Sequence, residues 1–164
     1  AGSIQWVHST GDHCDFNIMF DLIVMIRHAF QCLHSDEDTL RVLRNVAGHL
    51  GAGKTFVFES RNPNINWPGE WDGASDVYSS GPDWFQISTR VLSSDSEFVT
   101  FEHTYTFRRD TLKSGSKLRF PARTAVEQLI SKAGLMLVYV FGDWTRSPFD
   151  RQLSEEMIFQ VSRA

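Results

Sequence analysis

Polar and aromatic side chains end or follow three apolar runs of this sequence, and they are of types that bind or activate a small substrate. They are Arg27, His28, Glu59, Arg61, Asn62, Asp143 and Trp144. Histidine exchanges a proton readily near neutral pH, so we expect His28 to be a general base, with a structural histidine as the alternative. The other polar groups could orient a substrate. If the runs are strands of one open α/β sheet, all seven residues lie at its carboxyl edge, where ligands bind.

A helix joins the first two apolar runs, which predicts a strand-helix-strand crossover unit. Phe20–Met25 has the length and apolar content of a buried strand. Ser35 lies three residues before Asp38, as at a helix N-cap, and apolar residues then recur at helical spacing until Gly51, which we expect to end the helix. Thr55–Glu59 is the next strand, and a crossover of this length predicts parallel pairing.

The composition changes after the second run. The segment Asn64–Pro82 is rich in Gly, Pro, Ser and Asp, which predicts a long loop, and long loops in compact domains are often functional. Trp67 and Trp71 within it could form an apolar wall for a substrate. The alternative is that they pin the loop to the sheet.

Alternating apolar residues over 85–91 and 99–107 predict an antiparallel β-meander, inserted over residues 74–120 of a single domain that spans residues 1–164. The meander could frame a substrate or support oligomerisation. A second helix is predicted to end at Gly134. Leu135–Phe141 and Glu156–Ser162 are expected to form the last two strands.

Length and charge narrow the classes of function. The 164 residues suit one domain, and the net charge of -4, without a Lys/Arg-rich run, argues against nucleic acid or membrane as a partner. Thirteen Phe and five Trp are generous for this length, so we expect some to line a pocket or an interface. The presence of only two cysteines, Cys14 and Cys32, argues against a disulfide scaffold and fits a reducing cytoplasm.

The segment Gly48–Thr55 satisfies the phosphate-loop pattern G-x-x-x-x-G-K-[ST], which raises nucleotide hydrolysis as a hypothesis. A phosphate loop must follow a strand and open a helix, so that backbone N–H groups converge on the phosphates. Here the predicted order is reversed. The glycines are therefore expected to end the helix and form a turn.

Histidine and cysteine side chains crowd the first thirty-four residues. They are His8, His13, Cys14, His28, Cys32 and His34. Structural zinc sites usually pair their ligands as C-x-x-C or H-x-x-x-H, and neither spacing occurs here. We therefore expect no metal site.

The crossover unit and the segments around it resemble class I S-adenosylmethionine-dependent methyltransferases, in the part that follows their glycine-rich cofactor loop. The matching motifs are FDLIV at Phe20–Val24, HLGAGKTFVFE at His49–Glu59 and KAGL at Lys132–Leu135. Ile4–Asp12 resembles the third strand of that family and the acidic turn after it. Three motifs resemble a subgroup that acts on small molecules: SRNP at Ser60–Pro63, LRF at Leu118–Phe120 and GDW at Gly142–Trp144.

The resemblance implies an α/β fold with a partial Rossmann-like methyltransferase sheet, mostly parallel with an antiparallel last strand, and S-adenosylmethionine as the cofactor. It implies that Asp12 accepts a hydrogen bond from the adenine amino group, with His13 beside the adenine edge. A surface carboxylate in a turn is the alternative for Asp12. Arg27 and Phe30 follow the fourth strand of the family pattern and are expected to contact the cofactor.

The first two strands of that family, and the glycine-rich turn that holds the methionine part of the cofactor, have no counterpart here. No G-x-G-x-x-G occurs in the 164 residues. In the family these strands lie between the third and the fourth, so without them two inner strand edges are exposed. We expect a partial gene product, a complementing chain, or a sheet rearranged through dimerisation.

Three functions therefore stand as hypotheses. The first is methyl transfer to a small-molecule acceptor, by this chain or with this chain as the substrate-side portion of the enzyme. The second is a non-catalytic methyltransferase-like subunit for binding or assembly. Nucleotide hydrolysis is the third, and the order of the elements argues against it.

Overall fold

A computed structural model describes residues 3–80 and 83–163. Its elements are, in chain order, β1 (Phe20–Met25), a 3-10 helix (Ala29–Cys32), α1 (Asp36–His49), β2 (Leu50–Arg61), α2 (Trp67–Trp71), β3 (Ser75–Ser80), β4 (Asp83–Ser94), β5 (Phe98–Phe107), β6 (Thr111–Arg119), α3 (Arg123–Lys132), β7 (Leu135–Phe141) and β8 (Glu156–Arg163). They form two four-stranded sheets.

The first sheet has the strand order β1-β2-β8-β7. β1 and β2 are parallel, with Ile23 opposite Phe56, and β8 runs antiparallel to both β2 and β7. Three strands therefore share one direction, and the last strand of the chain is inserted between two of them in the opposite direction. This confirms the predicted mostly parallel sheet with an antiparallel last strand.

The second sheet is the predicted meander, with β3, β4, β5 and β6 paired antiparallel in chain order. Val99, Phe101 and Phe120 form its small core, against which Trp67 and Trp71 of α2 pack. The short helix α2 therefore connects the two sheets.

Helices α1 and α3 cover one face of the first sheet. α1 begins as predicted, because the Ser35 hydroxyl accepts a hydrogen bond from the Asp38 backbone N–H at 3.0 Å. Between the helices and the sheet, the ring of Phe58 stacks on Phe56 at 5.0 Å and on Phe159 at 4.8 Å. These three rings are fully buried and form the centre of the main core.

The opposite face of the first sheet is not covered by any helix of the described residues. Side chains alternate between the faces of a strand, so the neighbours of the core residues point here, and Leu22 and Val24 are 57% and 53% exposed. An open cavity of about 530 Å³ lies on this face and reaches Trp144. The outer edge of β1 also has no partner strand among residues 3–80 and 83–163.

Three predictions of local structure were wrong. Ile4–Asp12 forms no strand, since no neighbour pairs with it. α1 ends at His49 rather than at Gly51, because β2 already begins at Leu50 and Gly51 lies within that strand.

The segment predicted as a loop contains α2 and β3, since Asn66 caps a helical turn and Ser75–Ser80 pairs with β4. Gly81 and Pro82, at the end of that predicted loop, lie outside the described residues.

Replacing Phe58 by Ala is expected to lower the free energy of unfolding by about 3–5 kcal/mol, because the change leaves a cavity within the aromatic stack. Urea denaturation followed by circular dichroism measures it. Val138→Ala is the matched control on β7, since Val138 is 53% exposed. A Phe58→Ala variant as stable as that control would contradict this description of the core.

Candidate functional site

An open cavity of about 770 Å³ lies at the carboxyl ends of β1 and β2. It is lined by Ile26, Arg27, His28, Glu59, Arg61 and Trp144. Five of these six residues were predicted as site residues from the sequence. They come together because parallel strands end at the same edge of a sheet, and because the turn after β7 reaches that edge.

Glu59 organises the cavity. Its side chain is almost fully buried, with 4% of the residue exposed. One carboxylate oxygen accepts the backbone N–H of His28 at 2.8 Å, and the other accepts the indole N–H of Trp144 at 2.8 Å. A buried carboxylate requires such donors, so Glu59 fixes the ends of β1 and β7 relative to β2.

The backbone after β1 turns sharply, since Arg27 and His28 both have positive φ angles, of 61° and 60°. Left-handed conformations at non-glycine residues cost about 1–3 kcal/mol each. The bond from the His28 N–H to buried Glu59 holds this conformation in place. The strained turn directs the imidazole of His28 to the cavity, where its Nε2 lies 2.8 Å from Oε1 of Glu156.

Glu156 is a member of the site that the sequence analysis missed. It is the first residue of β8 and pairs with Arg61 across the antiparallel ladder. The amino end of an antiparallel strand lies at the edge where its parallel neighbours end. That rule, applied to the predicted last strand, could have found Glu156.

Arg61 lies on the rim of the cavity, between aromatic and polar partners. Its guanidinium is 4.9 Å from the ring centre of Trp71 and 5.5 Å from that of Trp67, and one N–H donates to Oε1 of Gln31 at 3.0 Å. Burial lowers the pKa of Arg61, while the charges of Glu156 and Glu59 oppose that shift. No carboxylate of the described residues lies within ion-pair distance of its guanidinium, so further N–H groups can bind a substrate.

The structure does not place every predicted residue at the cavity. Phe30 is 2% exposed and stacks on Phe58 at 4.4 Å, so it belongs to the core and not to a cofactor surface. Asn62 is fully buried, and its amide donates to the carbonyls of Arg151 and Ser154, so it fastens a loop instead of binding substrate.

Trp67 and Trp71 hold their segment against the sheet, which was the alternative to an apolar wall for a substrate. The ring of Trp71 packs on Phe101 at 5.1 Å, and the Trp67 indole donates to the carbonyl of Asn62 at 2.9 Å. They pin α2 to the meander; neither lines the cavity, and both rings lie against the guanidinium of Arg61 on its rim.

Asp143 lies beside Trp144, in the turn after β7, and lines the 530 Å³ cavity on the open face. Its carboxylate accepts the backbone N–H groups of Thr145 and Ser147 at 2.8 and 3.1 Å. Hydrogen bonds from the Ser147 side chain, and then from Thr145, lower the pKa of Asp143 to about 2. Asp143 thus stabilises the turn that carries Trp144.

Asp12 and His13 form a separate cluster that lines neither of these cavities. His13 Nδ1 is 2.9 Å from an oxygen of Asp12, and Arg41 of α1 is 3.4 Å from the other oxygen. Hydrogen bonds from Thr10, and then from His13, lower the pKa of Asp12 to about 2. Asp12 is therefore an ionised acceptor at neutral pH.

A smaller cavity of about 320 Å³ lies between β1 and α1 and is lined mainly by apolar side chains. Its polar residues are already engaged: Asn45 donates to the carbonyls of Gly11 and Cys14, and the ring nitrogens of His49 bond the carbonyl of Asn45 and the N–H of Phe16. The side chains of Asn45 and His49 are thus engaged in hydrogen bonds within the protein.

The architecture is similar to solved structures of one kind of enzyme. An S-adenosylmethionine-dependent methyltransferase from Clostridium acetobutylicum superposes with a TM-score of 0.78 at 13% identity, over 95% of this chain and 63% of its own. The fold is that of S-adenosylmethionine-dependent methyltransferases. The CcbJ methyltransferase from Streptomyces caelestis has a TM-score of 0.74 at 16% identity, over 95% of this chain and 62% of its own.

An amino pentose methyltransferase from Micromonospora echinaspora is also similar, with a TM-score of 0.70 at 16% identity over 95% of this chain and 63% of its own. This chain thus spans less than two thirds of the methyltransferase structures that it matches. No protein-family model matches the sequence, and no curated protein matches it.

The described part of the chain shows neither a cluster of metal ligands nor a helix suited to cross a membrane. No group of three or more His, Cys, Asp and Glu side chains in residues 3–80 and 83–163 could hold a metal ion. In the same residues, no helix has the length and apolar character needed to cross a membrane.

Replacing Glu59 by Gln is expected to lower the free energy of unfolding by about 1–3 kcal/mol, because the new NH₂ group must face the N–H of His28 or of Trp144. Urea denaturation measures the loss. Glu155→Gln is the control, since Glu155 is exposed, and such surface changes stay within about 0.5 kcal/mol. Equal stability of the two variants would contradict the role given to Glu59.

Titration by carbon-detected NMR is expected to place the pKa of Asp143 at about 2, below the ordinary value of 3.8. Because the folded-state pKa is depressed, the turn's contribution to stability is present above pH 3.8 and is lost as pH falls through about 2. Ser147→Ala should raise this pKa towards its ordinary value, whereas Ser96→Ala in a distant turn should not. A midpoint near 3.8 in the unmodified protein would contradict the proposed hydrogen bonds.

Proposed function

We propose that this chain is the substrate-side portion of an S-adenosylmethionine-dependent methyltransferase that acts on a small-molecule acceptor. The observation that carries the proposal is the cavity at the carboxyl edge of the methyltransferase-type sheet, with His28, Glu59, Arg61 and Trp144 around it. Two of the similar structures are named as an amino pentose methyltransferase and a sugar N-methyltransferase, which supports a small polar acceptor.

The cofactor, when bound, supplies an electrophilic methyl group on a sulfonium. Asp12 suits the adenine end, because an ionised carboxylate accepts a hydrogen bond from an amino group. His13 lies at the same cluster. Arg27, on the rim of the large cavity, would face the polar end of the cofactor.

The residues of the cavity would bind and orient the acceptor. Positioning supplies much of the rate in a direct methyl transfer. The guanidinium of Arg61, held on two tryptophan rings, would bind a polar group of the acceptor. His28 would remove the proton that the acceptor loses as its lone pair takes the methyl group.

A non-catalytic binding or assembly subunit is the second candidate. The observation that favours it is the uncovered sheet face, together with the unpaired outer edge of β1 in the described residues. Such a surface can pair with a second copy of the chain or with a complementing chain. The same surface is compatible with the first candidate, if the partner completes the cofactor site.

Calorimetric titration of S-adenosylhomocysteine into the folded chain tests the proposal, with light scattering to report the oligomeric state. We expect saturable binding. Asp12→Asn should weaken it about tenfold or more, because a hydrogen bond to a charged acceptor is worth about 1.5–3 kcal/mol. Asp76→Asn is the control, at an exposed position of β3.

Absence of binding by a folded chain would instead support the assembly subunit. Titration with ATP in parallel tests nucleotide hydrolysis, for which no binding is expected, because Gly48–Thr55 closes α1 and opens β2.

A further inference from the structure

We propose that Glu156 is a positioning residue that holds neutral His28 with its proton on Nε2, which makes Nδ1 the atom that accepts a proton from the acceptor. The proposal rests on the proposed function in treating His28 as the base. The tautomer itself is a property of the protein, so it can be tested without cofactor or acceptor.

The contact between the two side chains determines where the proton lies. Nε2 of His28 is 2.8 Å from Oε1 of Glu156, which is a normal hydrogen-bond distance. A carboxylate that carries no hydrogen can only accept in this bond, which places the hydrogen on Nε2. In a neutral imidazole the second nitrogen, Nδ1, then holds a lone pair.

Nδ1 has no competing partner in the part of the chain that the structure describes. The nearest oxygen of an acidic group is Oε1 of Glu59 at 4.0 Å, which is too far for a hydrogen bond. That oxygen already accepts the backbone N–H of His28, and the other oxygen of Glu59 accepts Trp144. His28 lines the large cavity, and the proposal is that a ligand bound there meets this nitrogen.

The only hydrogen bond of the Glu156 carboxylate among the described residues is the one to His28. Among the described residues, its other oxygen, Oε2, is buried and without a hydrogen-bond partner. The register of β8 places the backbone of Glu156 opposite that of Arg61. The positive charge of Arg61 interacts with the charges of both Glu156 and Glu59. The positively charged groups at this cavity are thus Arg27 and Arg61, and the negatively charged groups are Glu59 and Glu156.

This arrangement accounts for each atom of the proton transfer. The lone pair of the acceptor nitrogen or oxygen forms the bond to the methyl carbon, the electron pair of the carbon–sulfur bond passes to sulfur, and the acceptor's proton passes to Nδ1. The resulting imidazolium has Glu156 on one side at 2.8 Å and Glu59 on the other at 4.0 Å. Both carboxylates stabilise its positive charge.

The test is ¹⁵N NMR of the histidine rings in the full chain, with the His28 signals assigned by the His28→Gln variant. At a pH where His28 is neutral, we expect a protonated Nε2 and an unprotonated Nδ1. Glu156→Leu removes the acceptor, so the Nδ1–H form, which is the minor tautomer of free histidine, should become detectable beside the Nε2–H form. Glu156→Gln, which keeps an acceptor oxygen and the shape of the side chain, should retain the Nε2–H form and serves as the folding control.

Glu155→Gln, at the exposed neighbouring position, should leave the His28 signals unchanged. An Nδ1–H tautomer as the major form in the unmodified protein would overturn the proposal, and so would a folded Glu156→Leu variant in which the Nδ1–H form is no more populated than in the unmodified protein. Neither outcome depends on methyl transfer. A failure here is therefore distinguishable from a failure of the proposed function, which the titration with S-adenosylhomocysteine tests.

Discussion

The buried carboxylate of Glu59 is the constraint on which the geometry of the cavity depends. A charge removed from water needs hydrogen-bond donors, and Glu59 receives them from the backbone of His28 and the indole of Trp144. These donors lie 31 and 85 residues away along the chain. One side chain on β2 thereby fixes the ends of β1 and β7, and the left-handed turn at Arg27 and His28 persists because this bond holds it.

The two faces of the first sheet have different roles. One face buries a stack of phenylalanine rings beneath α1 and α3, and it supplies most of the apolar burial that stabilises the chain. The other face carries Glu59, Arg61 and Glu156 at the carboxyl end of β2, and the exposed side chains of Leu22 and Val24 lie on the same face along β1. The apolar core and the polar residues of the candidate site thus lie on opposite sides of the same strands.

The similarity to methyltransferase structures concerns both the extent of this chain and the position of its cavity. The similar structures are longer chains, and this chain spans about 60% of their length. Their shared fold places the cavity at the edge where an open α/β sheet binds its ligands. The Asp12 cluster lines neither that cavity nor the cavity on the open face of the sheet.

The sequence by itself determined the elements whose local patterns are strong, although not the structure of Ile4–Asp12 or of the segment that contains α2 and β3. Phe20–Met25 and Leu135–Phe141 have the bounds that their apolar runs predicted, and the Ser35 cap lies where the spacing placed it. Only the tertiary structure decided which side chains reach the cavity. Phe30 lies in the core. Successive side chains of a helical turn point in different directions, so a residue one or two positions from a cavity-lining residue can point into the core instead.

Long-range pairing decided the rest. Glu156 joined the site through the register of β8 against β2, and Asn62 was buried by carbonyls about ninety residues away. No pattern within a window of the sequence encodes which strand lies beside which, because that choice depends on how all the apolar faces pack at once. The candidate site residues could therefore be identified from the sequence, whereas the residues that they contact were determined by the packing of the sheet.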